Sequence, residues 1–277
     1  MVPVLELSRV SKRYRRGPVV LDEVSFTLEP GTLTQLRGGN GSGKSTLLRI
    51  GAGFTRPSGG RVRRAFATLA FVPDRVVPPA RMSARSYLDR LGRLAGMSPS
   101  AVSASAGAIT DALGLFPGLQ TPLGELSRGN QRKVLLTQAL MRPAELVALD
   151  EPFTALDAEA ATALSGLLHD RLGQGAALLV ALHGGELGDA GRVLALDAGR
   201  LRDVGSEGVL AAAERTVTVE LSGPQPAWTP EGEVLSDGRT RYLVAEADVE
   251  RLLGTALAVG ARVLRVDGPQ AGSGGAR

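Results

Sequence analysis

Apolar and polar residues alternate over residues 4–10, and again over residues 24–28 just before Pro30 and Gly31. A period of two, closed by turn residues, predicts short strands in an antiparallel opening layer. Residues 33–37 predict a further strand, which runs into a Gly/Ser loop and then a helix-compatible stretch over 44–50. Strand, glycine loop and helix thus follow in the order a phosphate loop requires. From residue 82 to about 119 the pattern becomes Ala, Leu, Arg and Ser at helical spacing, with Tyr87, Leu88, Leu91 and Leu94 on one face, predicting a helical insertion. Beyond it the pattern predicts a helix over 130–141 stopped before Pro143, a buried strand over 146–149, a helix over 158–172 and a buried strand over 177–182. Apolar strands alternating with helices imply a parallel sheet covered on both faces.

Strands over 192–196 and 201–204 flank the turn residues Asp197, Ala198, Gly199 and Arg200, and a short helix is expected over 207–213. The domain boundary is placed near Arg215, giving an α/β domain over 1–214 with a helical subdomain at about 75–126. Residues 215–270 read as a small α+β appendage, with strands near 216–221, 233–235, 242–244 and 262–266 and an amphipathic stretch over 248–259. Residues 271–277 are glycine-rich and read as a flexible tail. No internal repeat or heptad seam is visible.

Composition narrows the class. A chain of 277 residues with 43% hydrophobic and 22% charged residues is globular, not disordered or collagen-like, despite 36 glycines. No apolar run approaches the roughly 18 residues of a membrane-spanning helix, and the N-terminus lacks the pattern of a secretion signal. The absence of cysteine removes disulfide and thiolate chemistry and suits a cytoplasmic chain. The net charge of +4 is too small in either part to point to nucleic acid. Of 32 basic residues only Lys12, Lys44 and Lys133 are lysines, so a lysine in a meaningful context carries weight.

Lys44 has that context. Gly38, Gly39, Asn40, Gly41, Ser42, Gly43, Lys44 and Ser45 fit G-x-x-x-x-G-K-[ST], with Thr46 next. Glycines let successive N–H groups curl inward toward phosphate oxygens, the following helix presents its N-terminus, Lys44 reaches the terminal phosphates and Ser45 offers a hydroxyl to Mg²⁺. Asp150 and Glu151 close the strand from residue 146. Asp150 can orient a water in the Mg²⁺ shell, and Glu151 can polarise the water that attacks a γ-phosphate. Leu126, Ser127, Arg128, Gly129, Asn130 and Gln131 precede the next helix. Ser127 reads either as an ordinary N-cap or, with the Gly129 N–H, as a donor to a γ-phosphate held by another subunit.

In order, these motifs resemble the ATP-binding cassette (ABC) ATPases over about residues 4–214. The phosphate loop, the signature-like run 126–130, Asp150 and Glu151, the run Ala155, Leu156 and Asp157, and His183 after the next apolar strand all fall in the family's sequence. The resemblance implies the P-loop ABC ATPase fold, a mixed sheet core with an antiparallel β layer and a helical subdomain. It implies that Tyr14 stacks on adenine, that Lys44 and the loop amides bind the β- and γ-phosphates, and that Ser45 and Asp150 serve Mg²⁺. Glu151 would be the catalytic base and His183 the γ-phosphate contact. Ser127 and Gly129 would act across a head-to-tail dimer, and Asp157 lies where the family links the two sites. Tyr14 also admits a plainer reading as cover for the first sheet, His183 as a structural histidine, and His169 reads as an ordinary helix residue.

Two departures stand out. Asp74 occupies the place after the strand 71–72 where the family keeps a glutamine; an acid still ligates Mg²⁺, but it adds negative charge and removes an amide donor. Arg128 and Asn130 stand where glycine and glutamine are commonest. The family resemblance implies an ATP-hydrolysing subunit, homodimeric or heterodimeric, localised in the cytoplasm on the inner face of the membrane beneath a separate transmembrane permease. The loose signature, Asp74 and the short appendage look most like ABC-2-type exporter ATPases, moving a drug, peptide, lipid or polysaccharide. The alternatives are an importer subunit, a catalytically inactive partner, or a soluble ATPase acting on DNA or ribosomes. Against the last, the step of 83 positions from Lys44 to Ser127 holds no coiled-coil heptads. The appendage is expected to brace the dimer or a regulator.

Overall fold

A computed structural model describes residues 2–15, 17–75, 79–182, 191–204, 216–224, 232–235, 239–245 and 249–267. The chain divides into two compact units, residues 1–203 and 204–277.

In the first unit, β1 (Leu5–Arg13), β2 (Val19–Leu28) and β4 (Gly59–Arg64) form an antiparallel sheet in the order β2-β1-β4. A six-stranded sheet has the order β5-β6-β7-β3-β8-β9, from β3 (Leu33–Arg37), β5 (Leu69–Val72), β6 (Leu146–Asp150), β7 (Ala177–Leu182), β8 (Arg192–Asp197) and β9 (Arg200–Asp203). Its neighbours are parallel except for the β8–β9 hairpin. The alternation along β6 and β7 explains why both faces are apolar. Val147, Leu149, Leu178, Val180 and Leu182 join one core, while Leu146, Ala148, Ala177, Leu179 and Ala181 join the other.

The second of these cores is closed by the antiparallel sheet and by α1 (Lys44–Gly51), through Leu47, Leu48 and Ile50. The first is closed by α2 (Ala84–Leu94), α3 (Pro99–Ala112), α4 (Arg128–Leu140) and α5 (Ala158–Gly173). Each of these four helices starts on a side chain that caps a free N–H: Ser83, Ser98, Ser127 and Asp157. The helical insertion is thus two helices, α3 restarting at Ser98 with Pro99 in its first turn.

Two features depart from the sequence pattern. The polar strand β4 carries no apolar period, because its six residues lie at a sheet edge with hardly any burial. Leu94, expected on the buried face of the insertion, is 84% exposed. The buried face of α2 runs through Ala84, Leu88 and Gly92, and at about 100° per residue Leu94 lies roughly 200° round from Gly92.

In the second unit, β11 (Gly232–Val234), β12 (Thr240–Ala245), β10 (Thr216–Ser222) and β13 (Arg262–Asp267) form an antiparallel sheet in that order. Helix α6 (Val249–Ala258) contributes Leu252 and Ala256 to a small core with Val217, Val219, Leu221, Tyr242 and Val244. The expected helix at 207–213, the boundary at Arg215 and the tail lie outside the described residues.

Candidate functional site

The phosphate-loop sequence does lie between β3 and α1. Gly43, the residue before α1, has φ of 108°, and a Cβ there would sit 2.8 Å from the Val20 carbonyl oxygen and 2.9 Å from Leu21 Cδ2. Glycine is required on both counts. Lys44 opens the helix with its side chain only 6% exposed, and its Nζ donates to the carbonyl oxygens of Gly38 at 2.5 Å and Gly39 at 3.1 Å. It is also 3.8 Å from Glu151 Oε1. Burial holds the ammonium below the usual lysine value, and Glu151 and then Asp150 pull it back up.

Asp150 ends β6, a strand buried along its whole length, and is itself 1% exposed. Neither carboxylate oxygen has a hydrogen-bond partner among the described residues. An ionised carboxylate left bare in the interior is costly, so oxygen donors of this kind suit a hard cation such as Mg²⁺. Ser45, in the first turn of α1, lines the neighbouring cleft with a hydroxyl. Among the described residues no three His, Asp or Glu side chains cluster as a metal cage.

Glu151 follows in the left-handed region, with φ of 53°, a conformation that costs a non-glycine residue about 1–2 kcal/mol. Its N–H donates to the Ala181 carbonyl at 3.0 Å and its Oε2 accepts from Thr154 Oγ1 at 3.4 Å, which hold the turn. Strain of this sort is maintained where a side chain must be aimed.

A cleft of about 280 Å³ gathers most of the residues singled out in the sequence. Tyr14, residues 39–46, Asp74 and Glu151 line it, together with Val20. Gly38 takes part through its carbonyl on Lys44, and Asp150 adjoins Glu151 without lining the cleft. Tyr14 is 44% exposed, its hydroxyl is 3.5 Å from Thr46 Oγ1, and Lys12 Nζ lies 4.8 Å from its ring centre. That leaves an aromatic surface at the cleft rim. Asp74 lies 3.5 Å from Arg75 Nε, an ion pair at the surface. His183 lies outside the described residues.

Ser127 and Gly129 are not among the residues lining this cleft. Ser127 Oγ accepts from the Asn130 N–H at 3.2 Å and from Asn130 Nδ2 at 3.1 Å. As an acceptor in both bonds, the hydroxyl keeps its own proton for donation. Gly129 packs so closely that a Cβ would approach the Ala155 carbonyl oxygen to 2.5 Å.

Sequence reasoning missed two neighbours on α4. Lys133, 6% exposed, donates to Asp157 Oδ2 at 2.8 Å and to the Gly114 carbonyl at 3.0 Å. That bond, and then the Ala160 N–H, hold the Asp157 carboxyl below its usual value. Arg132, also 6% exposed, donates through Nη1 to the carbonyls of Pro73 at 2.7 Å and Asp74 at 3.2 Å. Through Nη2 it donates to the carbonyls of Asp150 and of Glu151, the latter at 2.8 Å. The available signal was two adjacent cations leading straight into the apolar run Val134, Leu135 and Leu136. Charges so placed must find partners inside the molecule.

The family model described as ABC transporter matches residues 21–154. The chain is 30% identical over 242 residues to the Nod factor export ATP-binding protein I of Burkholderia lata, covering 82% of this chain and 79% of that protein. It is 32% identical over 243 residues to the mycobactin import ATP-binding/permease protein IrtB of Mycolicibacterium smegmatis, covering 77% of this chain but only 40% of that longer protein. Among solved structures, the dimeric ATP-binding cassette MJ0796 in a post-hydrolysis state bound to ADP and Pi matches with a TM-score of 0.64 at 22% identity, over 72% of this chain and 97% of that one.

Proposed function

Since this chain belongs to the ABC transporter family, as an ATPase that binds ATP with Mg²⁺, we propose that it works as one of a pair of ATPase subunits beneath a separate transmembrane permease. In this reading it drives export of a drug, peptide, lipid or polysaccharide. The observation that carries it is the cleft that unites the phosphate loop with Asp74 and Glu151. Among the described residues no helix is long and apolar enough to cross a membrane, so a membrane-spanning partner is part of the proposal.

At the site, Lys44 would pass from the carbonyls of Gly38 and Gly39 to the β- and γ-phosphates, and the loop N–H groups would cradle the same oxygens. Ser45 and Asp150 would hold Mg²⁺, which when bound neutralises charge on the phosphate oxygens. Tyr14 would stack on adenine. Glu151, aimed by its left-handed turn, would take a proton from water as the water oxygen bonds to the γ-phosphorus and the bond to the β-phosphate oxygen breaks, leaving ADP with the electron pair. Asp74 would stand where the family keeps a glutamine, and His183 would contact the γ-phosphate. Ser127 and Gly129 would serve the nucleotide of the partner subunit, which agrees with their position away from the cleft of their own chain.

Export is supported by the likeness to an export ATP-binding protein over 82% of the chain. Import is the second reading, favoured by the likeness to an import protein at similar identity. The test is to purify the tagged chain from gently solubilised membranes of its own cells. A stoichiometric multi-span protein is expected with it; recovery only in the soluble fraction, with ribosomes or DNA, would contradict the permease reading.

A further inference from the structure

We propose that Arg132 is a positioning residue that clamps together the two loops carrying Asp74 and Glu151 and ties both to α4, so that the γ-phosphate end of one site moves with the signature end that serves the other. This rests on the ATPase reading above for its consequence, though not for its geometry.

The geometry comes from where the sheet stops. Strands β5 and β6 pair in parallel up to Val72 opposite Leu149, and the residue that follows β5 is Pro73, which has no N–H to continue a ladder. Beyond that point β5 ends and its chain runs on to Asp74, while β6 has lost β5 as a neighbour but stays paired with β7 through Asp150, opposite Ala181, before it turns at Glu151. The carbonyls of Pro73, Asp74, Asp150 and Glu151 all accept from the one guanidinium. Its two terminal nitrogens carry four N–H groups in a rigid plane, enough to give one to each carbonyl. The clamp therefore fixes backbone, and the directions of the Asp74 and Glu151 side chains follow from it.

Charge adds a second reason. Asp74, Asp150 and Glu151 converge near a nucleotide that brings further negative charge, and Asp74 adds one that a glutamine would not. The buried Arg132 guanidinium is a counter-charge to them beside Lys44 and Arg75; burial lowers its pKa, and Asp74, then Asp150 and Glu151, oppose that lowering. Arg132 also lies five residues after Ser127 on the same helix. A displacement of either loop is thus passed to α4 as a rigid body.

The decisive substitution is Arg132→Lys in the full-length chain, because one ammonium keeps the charge but has three N–H donors and no fork to reach four carbonyls. Loop misplacement of the order of 1 Å costs about 100-fold in rate. Arg132→Lys is therefore expected to lower kcat by roughly 10- to 100-fold, with KM for ATP within about twofold. In Arg132→Ala, ethylguanidinium is expected to restore part of kcat, and ethylammonium of the same charge is not. Hydrogen exchange gives a readout free of activity: the amides of Asp74 and Glu151 should exchange at least about tenfold faster in Arg132→Lys, with the middle of α4 unchanged. Unchanged kcat and unchanged exchange would overturn the proposal, as would a uniform loss of protection across the whole unit without rescue. If the unaltered chain turns over no ATP, the ATPase reading fails by itself, while the exchange result still decides the clamp.

Discussion

In the proposed reading nucleotide affinity turns on Lys44, whose buried ammonium is held by two loop carbonyls and lies 3.8 Å from Glu151. Lys44→Met is expected to weaken ATP binding by at least about tenfold, measured by equilibrium titration with a fluorescent nucleotide. Its pH dependence has a definite sign. With the folded value lowered below 10.5, the folded chain releases the Lys44 proton earlier than the unfolded chain does. Between the two values the unfolded state binds more protons, so the nucleotide-free protein gains stability from this group as pH rises toward 10.5, and that gain is lost as pH falls through the folded value. ATP, which needs the ammonium, should bind more weakly over that same alkaline window, and Lys44→Met should flatten the profile. The phosphate loop, Asp150 and Glu151 were legible in sequence because their chemistry is local, a handful of residues in one turn. Arg132 and Lys133 were not, since their partners lie as far away as Pro73 and Asp157 and only the fold brings them together.

Among the elements, α2 and α3 offer a paired test of packing. Gly92 of α2 faces Val102 of α3 so closely that a Cβ would collide with Val102 Cγ2 and sit 3.1 Å from its Cγ1. Gly92→Ala should cost about 1–3 kcal/mol by overpacking. Gly107 in α3 has nothing within 4 Å of such a Cβ, and Gly107→Ala should stabilise by about 0.5–1 kcal/mol through helix propensity. Chemical denaturation of the two variants checks both signs at once. At the start of α5, Asp157→Asn keeps a capping oxygen but loses the charge paired with Lys133, whereas Asp157→Ala loses both. Thermal melts should rank the wild type above Asp157→Asn and that above Asp157→Ala. Because the folded carboxyl is lowered from 3.8, the wild-type advantage over Asp157→Asn is present above that pH and fades as pH falls through the folded value. Elements with a strong apolar period, β6 and β7 above all, were readable from sequence; β4 was hidden by its polar edge position and Leu94 by a helix face that turned away from it.

At the scale of the whole molecule, the two units each have their own hydrophobic core. A fragment of residues 1–214 is therefore expected to fold and to bind ATP with an affinity within about threefold of the full chain. If the appendage braces the dimer or a regulator, the same fragment should dimerise or transport less well than the full chain, and equal behaviour would remove that role. In the proposed mechanism the cleft of Lys44, Asp74 and Glu151 hydrolyses ATP with Glu151 as the base. It is tested most directly by ATP turnover of the purified full chain beside Glu151→Gln, with nucleotide binding measured on both. Turnover should fall by about 100-fold or more while binding stays within about twofold; equal rates in the two proteins would contradict the assignment.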